Sequence, residues 1–182
     1  MKKFALLIVL ALELAVCGCA HNTPSSEVNT TTSGNWEARL SGGTGQASQL
    51  NFVTSFTLLD SGPLSNIFFS FFNSGPCFGT AVGDTTESGN ATLNVSSTDT
   101  VTGSLNFTVT STQNGNVLTL TSPDGGLTGT SNGSPGTTGV LSNGVAVGTW
   151  TLTSSDTKCV PSGGSVSGSF LMCQGNDTCV AP

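Results

Sequence analysis

From residue 33 onward, apolar and polar residues alternate with a period of two. Trp36, Ala38 and Leu40 alternate with Asn35, Glu37 and Arg39. Leu50, Phe52, Thr54, Phe56 and Leu58 share one face of the next run, and Leu93 and Val95 alternate with Thr92 and Asn94. Leu105, Phe107 and Val109 alternate with Ser104, Asn106 and Thr108, and Leu118 and Leu120 follow. Val145, Val147, Trp150, Leu152, Val166, Phe170 and Met172 supply the later apolar positions. Successive side chains of a strand point to opposite faces, so this pattern predicts half-buried β-strands. Between the runs stand Ser61-Gly62-Pro63, Ser88-Gly89-Asn90, Asn114-Gly115-Asn116, Pro123-Asp124-Gly125-Gly126 and Ser142-Asn143-Gly144. Such clusters supply the positive φ angles of tight hairpins. No segment after residue 20 carries a helical stripe with caps. The expectation is all-β: a single antiparallel meander of roughly 8–10 strands over residues 34–182, closed as a small barrel or folded as a sandwich.

Two short repeats refine this picture. Val101-Thr102-Gly103-Ser104, Leu127-Thr128-Gly129-Thr130 and Val166-Ser167-Gly168-Ser169 place a glycine inside a strand, where it permits the bend a small barrel needs at its corners. Gly34-Asn35-Trp36 and Gly148-Thr149-Trp150 repeat Gly-x-Trp. The first opens the first strand, where it resembles the motif of lipocalins and avidin-like barrels, whose Trp plugs one barrel end. That resemblance implies architecture only. Lipocalins pack a late-strand arginine on that Trp, and the one arginine here, Arg39, lies in the same run as Trp36.

The N-terminus reads as an address. Met1-Lys2-Lys3 is a positive start and residues 4–12 are continuously apolar, too short for a spanning helix but suited to a secretory signal. Leu14-Ala15-Val16-Cys17-Gly18-Cys19-Ala20 then resembles the lipobox of bacterial lipoproteins. In that family cleavage falls just before a cysteine that becomes acylated. Small Gly18 before it favours Cys19; bulky Val16 disfavours the alternative, Cys17. The resemblance implies removal of residues 1–18 and a protein held by lipid on the bacterial cell envelope, on the periplasmic or surface face of the outer membrane. Residues 20–33 read as a flexible tether, which contains the only histidine, His21.

Composition removes several functions. The chain has 182 residues, of which 25 are Ser, 28 Thr and 24 Gly, and 8% are charged. Nucleic-acid binding needs cations to neutralise phosphates, yet only Arg39 and Lys158 follow the signal segment. Nine carboxylates follow it: Glu27, Glu37, Asp60, Asp84, Glu87, Asp99, Asp124, Asp156 and Asp177. Most fall in expected turns, where Asp is favoured for backbone reasons, and none forms a pair marked by the sequence as catalytic. Asp84 and Glu87 are near enough along the chain to approach each other, but without a calcium-loop spacing. No metal or other cofactor is implied.

After lipidation at Cys19, four cysteines remain: Cys77, Cys159, Cys173 and Cys179. In an oxidising compartment these form two disulfides. Of three connectivities, the expected one is Cys77–Cys159 with Cys173–Cys179. The most unusual stretch, Leu64-Ser65-Asn66-Ile67-Phe68-Phe69-Ser70-Phe71-Phe72, puts Phe69 and Phe71 on one strand face and Phe68 and Phe72 on the other. The expected function is a monomeric, non-enzymatic display, binding or structural module, with the membrane and an envelope protein as partners. The alternative is a lipocalin-like carrier that holds an apolar small molecule among Phe52, Phe56, Phe69, Phe71 and Phe107. A hydrolase using turn carboxylates is the remote third reading.

Overall fold

The computed structural model describes residues 29–32, 34–58, 61–73, 75–79, 83–133 and 138–175. Its ten strands are β1 (Asn29–Thr32), β2 (Trp36–Ser41), β3 (Phe52–Thr57), β4 (Gly62–Pro63), β5 (Ser65–Phe71), β6 (Thr85–Val95), β7 (Thr100–Ser111), β8 (Val117–Ser131), β9 (Thr138–Ser154) and β10 (Gly164–Gln174). A 3-10 turn, Gly45–Gln49, joins β2 to β3. Nine strands follow one path, β4-β6-β7-β8-β9-β10-β2-β3-β5, with every neighbour antiparallel. The expected antiparallel meander is therefore present, nearly closed into a barrel.

Closure comes from one stretch of chain. At its start, Gly62 and Pro63 pair with Ala91 and Asn90 of β6, and the Leu64 amide donates to the Gly89 carbonyl. From Ser65 onward the same stretch pairs with β3 instead. Asn66, with φ 51°, lies where the change occurs; Asn tolerates this left-handed region better than most residues. Residues 62–71 thus act as one wall strand that leaves β6 for β3, and a seam runs between β5 and the first half of β6.

Some sequence expectations need correction. Ser88-Gly89-Asn90, Pro123-Asp124-Gly125-Gly126 and Ser142-Asn143-Gly144 are not hairpin turns. They lie inside β6, β8 and β9, and the latter two strands run to 15 and 17 residues. Residues 123–126 are extruded between Thr121↔Thr149 and Leu127↔Ala146 as a large bulge, and the second irregularity of this pair lies between Thr128↔Val145 and Thr130↔Ser142. Bulges use the same turn-forming residues as hairpins, but the strand continues in its direction. Asn114-Gly115-Asn116 is a turn as expected, with Gly115 at φ 71°. At the other end, Asn29–Thr32 from the expected tether forms β1, which lies parallel on β9 from Thr138 to Leu141.

The inward faces build one core. Trp36, Ala38, Leu40, Phe52, Phe56, Leu105, Phe107, Leu118, Leu120, Trp150, Leu152, Phe170 and Met172 are all buried. Inward glycines stand directly beside large rings on the neighbouring strand: Gly89↔Phe107, Gly148↔Phe170 and Gly168↔Trp150. The ring takes the space of a side chain at Gly148 and Gly168, and Leu64 takes it at Gly89, which lets the strands bend tightly around a narrow interior.

Candidate functional site

The five phenylalanines singled out by sequence do converge. Phe52 lies 4.5 Å from Phe69, 6.1 Å from Phe71 and 6.3 Å from Phe107, centroid to centroid. Phe56 lies 6.3 Å from Phe107, and Phe69 lies 4.7 Å from Phe71 and 5.9 Å from Phe107. Trp36 extends the cluster at 5.6 Å from Phe56, and Phe78 extends it at 4.5 Å from Phe71. These separations are those of rings in mutual contact. The group is a packed aromatic spine. Phe52, Phe56 and Phe107 are buried, whereas Phe69 and Phe71 face inward but remain partly exposed beside the seam.

One end of the barrel is covered by loops. Cys77 and Cys159 form the expected disulfide, with 4.9 Å between Cα atoms. Cys77 belongs to the loop after β5 and Cys159 to the loop between β9 and β10. Buried Asn116 donates through Nδ2 to the Cys77 carbonyl at 2.8 Å. Ala47, Leu50, Phe78 and Val160 fill the space beneath these loops. Sequence reasoning placed the disulfide but missed Phe78 and Asn116; neither belongs to a regular alternating run. Cys173 is disulfide-bonded as well. Its expected partner Cys179, like Cys17 and Cys19, lies outside the described residues.

At the opposite end, Trp36 opens β2 after Gly34, whose φ is 83°. Its indole rim lies so close to Gly144 that a Cβ there would come within 2.3 Å of Cη2. Trp36 Nε1 is buried without a hydrogen-bond partner among the described residues, while Trp150 Nε1 donates to the Ser41 carbonyl at 2.9 Å. Both tryptophans anchor the core. Arg39 does not pack on Trp36 from inside: its side chain is on the outer face, where Nε and Nη2 meet Glu37 Oε1 at 2.9 and 2.8 Å.

The carboxylates have local roles. Thr85 Oγ1 donates to Glu87 Oε1 at 2.6 Å, and Asp156 Oδ1 accepts from the Lys158 amide at 2.8 Å. Asp99 occupies a turn with φ 60°. Among the described residues no three of His, Cys, Asp or Glu gather where they could hold a metal ion. Glu27, Asp60 and Asp177 lie outside the described residues. A shallow groove of about 190 Å³ runs on the outside of the wall, lined by Asn35, Trp36, Glu37, Val53, Thr54, Phe68 and Gly175. Comparison with protein-family models, curated proteins and solved structures gave no match for this chain.

Proposed function

We propose that this chain is a lipid-anchored protein of the bacterial cell envelope whose barrel is a non-enzymatic display or binding module. The observation that carries this reading is the aromatic spine. Phe52, Phe56, Phe69, Phe71 and Phe107 touch one another, so the barrel interior is occupied by its own side chains. A carrier needs a concave, largely preformed pocket, about 300 Å³ or more for a small molecule. A filled barrel recognises through its outer faces, loops or strand edges. The anchoring part rests on the lipobox-like Leu14-Ala15-Val16-Cys17-Gly18-Cys19. Acyl chains contribute about 0.8 kcal/mol per buried CH₂, and two or more together hold a protein stably on a bilayer.

The test of the anchor is intact-mass analysis of the mature protein from membranes. The expected mass is that of a chain beginning at an acylated Cys19. An unmodified N-terminus in a soluble fraction would overturn the anchor. The test of the filled barrel is uptake of an apolar fluorescent dye, for which the parent protein should give no saturable enhancement. A second reading has one observation in its favour. Phe69 and Phe71 are inward-facing yet partly exposed at the seam, so an apolar ligand entering there would meet them first. Saturable dye binding that is lost in Phe69→Ser would favour this carrier reading.

A further inference from the structure

The outside of the barrel has two unlike sides. From β6 to β9 its outward positions are mostly hydroxyl or amide, with the exposed Val140 and Val147 of β9 among the exceptions. One row runs Ser88, Thr108, Thr119 and Thr151 across these four strands. The wall formed by β2, β3 and β5 differs. Phe68 is 57% exposed and Phe72 60%, and Val53, paired with Glu37 and Ser70, lies beside them. The Arg39–Glu37 pair on this wall cancels its own charge. The result is a side with exposed rings and, on these three strands, no net charge.

The chain enters on this same side. β1 pairs with β9 up to Leu141, just before the first β9 residue that pairs with β10, Val145. Thr32 Oγ1 donates to the Phe56 carbonyl of β3 at 3.1 Å. β1 therefore continues the wall beyond the end of β10, towards β3. Nine residues lie between Cys19 and Asn29. The stretch from Cys19 to Asn29 can reach at most about 35 Å. The seven residues of β5 cover roughly 23 Å. A bilayer holding Cys19 is thus within reach of the whole side from Phe68 to Phe72.

We infer that this side rests on the bilayer that holds the anchor, with Phe68 and Phe72 in its interfacial layer. The inference depends on the lipid anchor proposed above. Apolar side chains on a tethered body gain by leaving water for the headgroup–acyl boundary. The sign of charge favours this side too. An anionic leaflet repels an acidic surface, and the neutral side is the one it tolerates. The hydroxyl-rich side then faces away, free for recognition.

The experiment uses the full lipidated chain in vesicles containing lipids brominated along the acyl chain, which quench nearby indoles. Phe68→Trp, Phe72→Trp and, on the opposite side, Thr151→Trp are compared against the parent, whose Trp36 and Trp150 are interior. The expected result is a blue shift and loss of the added emission at 68 and 72, with none at 151. Flotation separates the two ideas. A chain that does not float with vesicles overturns the anchor and this inference together. A chain that floats but shows no quenching, or equal quenching at all three positions, overturns the inference alone. Efficient crosslinking of two Phe68→Cys copies, without quenching, assigns the side to a second copy and likewise overturns it.

Discussion

Gly168 shows how one residue position shapes this barrel. A Cβ built there would lie 1.8 Å from the Ser41 carbonyl oxygen and 2.8 Å from Trp150 Nε1. Only glycine lets β10 come this close to the end of β2, and the same closeness lets Trp150 donate to Ser41. Gly103 has a similar constraint, since a Cβ would meet the Thr92 carbonyl oxygen at 1.9 Å. Both glycines belong to the apolar–hydroxyl–Gly–hydroxyl tetrads visible in the sequence, so the bend positions were legible. The ring beside Gly168 was not, because register across strands decides that Trp150 stands next to it. Gly168→Ala should lose about 1–3 kcal/mol or more by overpacking. Exposed Ser167→Ala should stay within about 0.5 kcal/mol of the parent. Urea unfolding of both variants measures this; equal midpoints would contradict the close-approach account. Asn116→Ala should lose about 1–3 kcal/mol, because the buried Cys77 carbonyl loses its short hydrogen bond from Nδ2.

Among the elements, the strand pairings are unequal. β6 pairs with β7 over eleven residue pairs, β7 with β8 over ten and β9 with β10 over ten. By contrast, β2 holds β3 by three pairs and β4 holds β6 by two. The barrel has a strong half, β6 to β10, and a weak half, β2 to β5. The disulfide joins them, with Cys77 following the weak half and Cys159 within the strong one. Its ends are 82 residues apart, so the loop-entropy model gives it about 4–5 kcal/mol. The double variant Cys77→Ala/Cys159→Ala should unfold at clearly lower denaturant, with a loss of at least about 2 kcal/mol. An unchanged midpoint would mean that the loop contacts alone hold the two halves. The long strands of the strong half were the least legible elements. Pro123-Asp124-Gly125-Gly126 and Ser142-Asn143-Gly144 carry turn chemistry, and residue type does not say whether a chain reverses there. The phase of the pattern does carry a trace. Buried Leu118 and Leu120 have even numbers, while buried Leu127 and Ser131 have odd ones. A strand that crosses a bulge must shift its inward positions in this way.

For the molecule as a whole, the sequence carried the all-β class, the convergence of five phenylalanines and one disulfide. It could not show that the rings fill the interior, because filling depends on barrel radius, and radius on tilt and stagger. Phe107 stands at the centre of that filling, within 6.3 Å of Phe52, Phe56 and Phe69. Phe107→Ala should cost about 3–5 kcal/mol and open an apolar void among these rings, read as greater dye uptake than in the parent.

The unequal halves also predict how the native barrel opens. Local opening costs least where few backbone hydrogen bonds and few buried contacts must break. Residues 62–71 are held by two pairs to β6 at one end and by β3 at the other, and β3 itself is held by three pairs to β2. Opening at the seam therefore frees β5 and β3 together, while β7, β8 and β9 keep partners on both sides. In native-state hydrogen exchange, the amides of Phe68 and Ser70, which face β3, should exchange well before those of Phe107, Leu120 and Trp150. Reduction of the Cys77–Cys159 disulfide should widen the gap, because the staple that returns the weak half is gone. Uniform protection across all five amides, or earliest exchange in β8, would contradict the division into halves. Early exchange at Phe68 and Ser70 would also locate the route by which any apolar molecule enters, since the opening that frees these amides exposes the inward rings of Phe69 and Phe71 beside them.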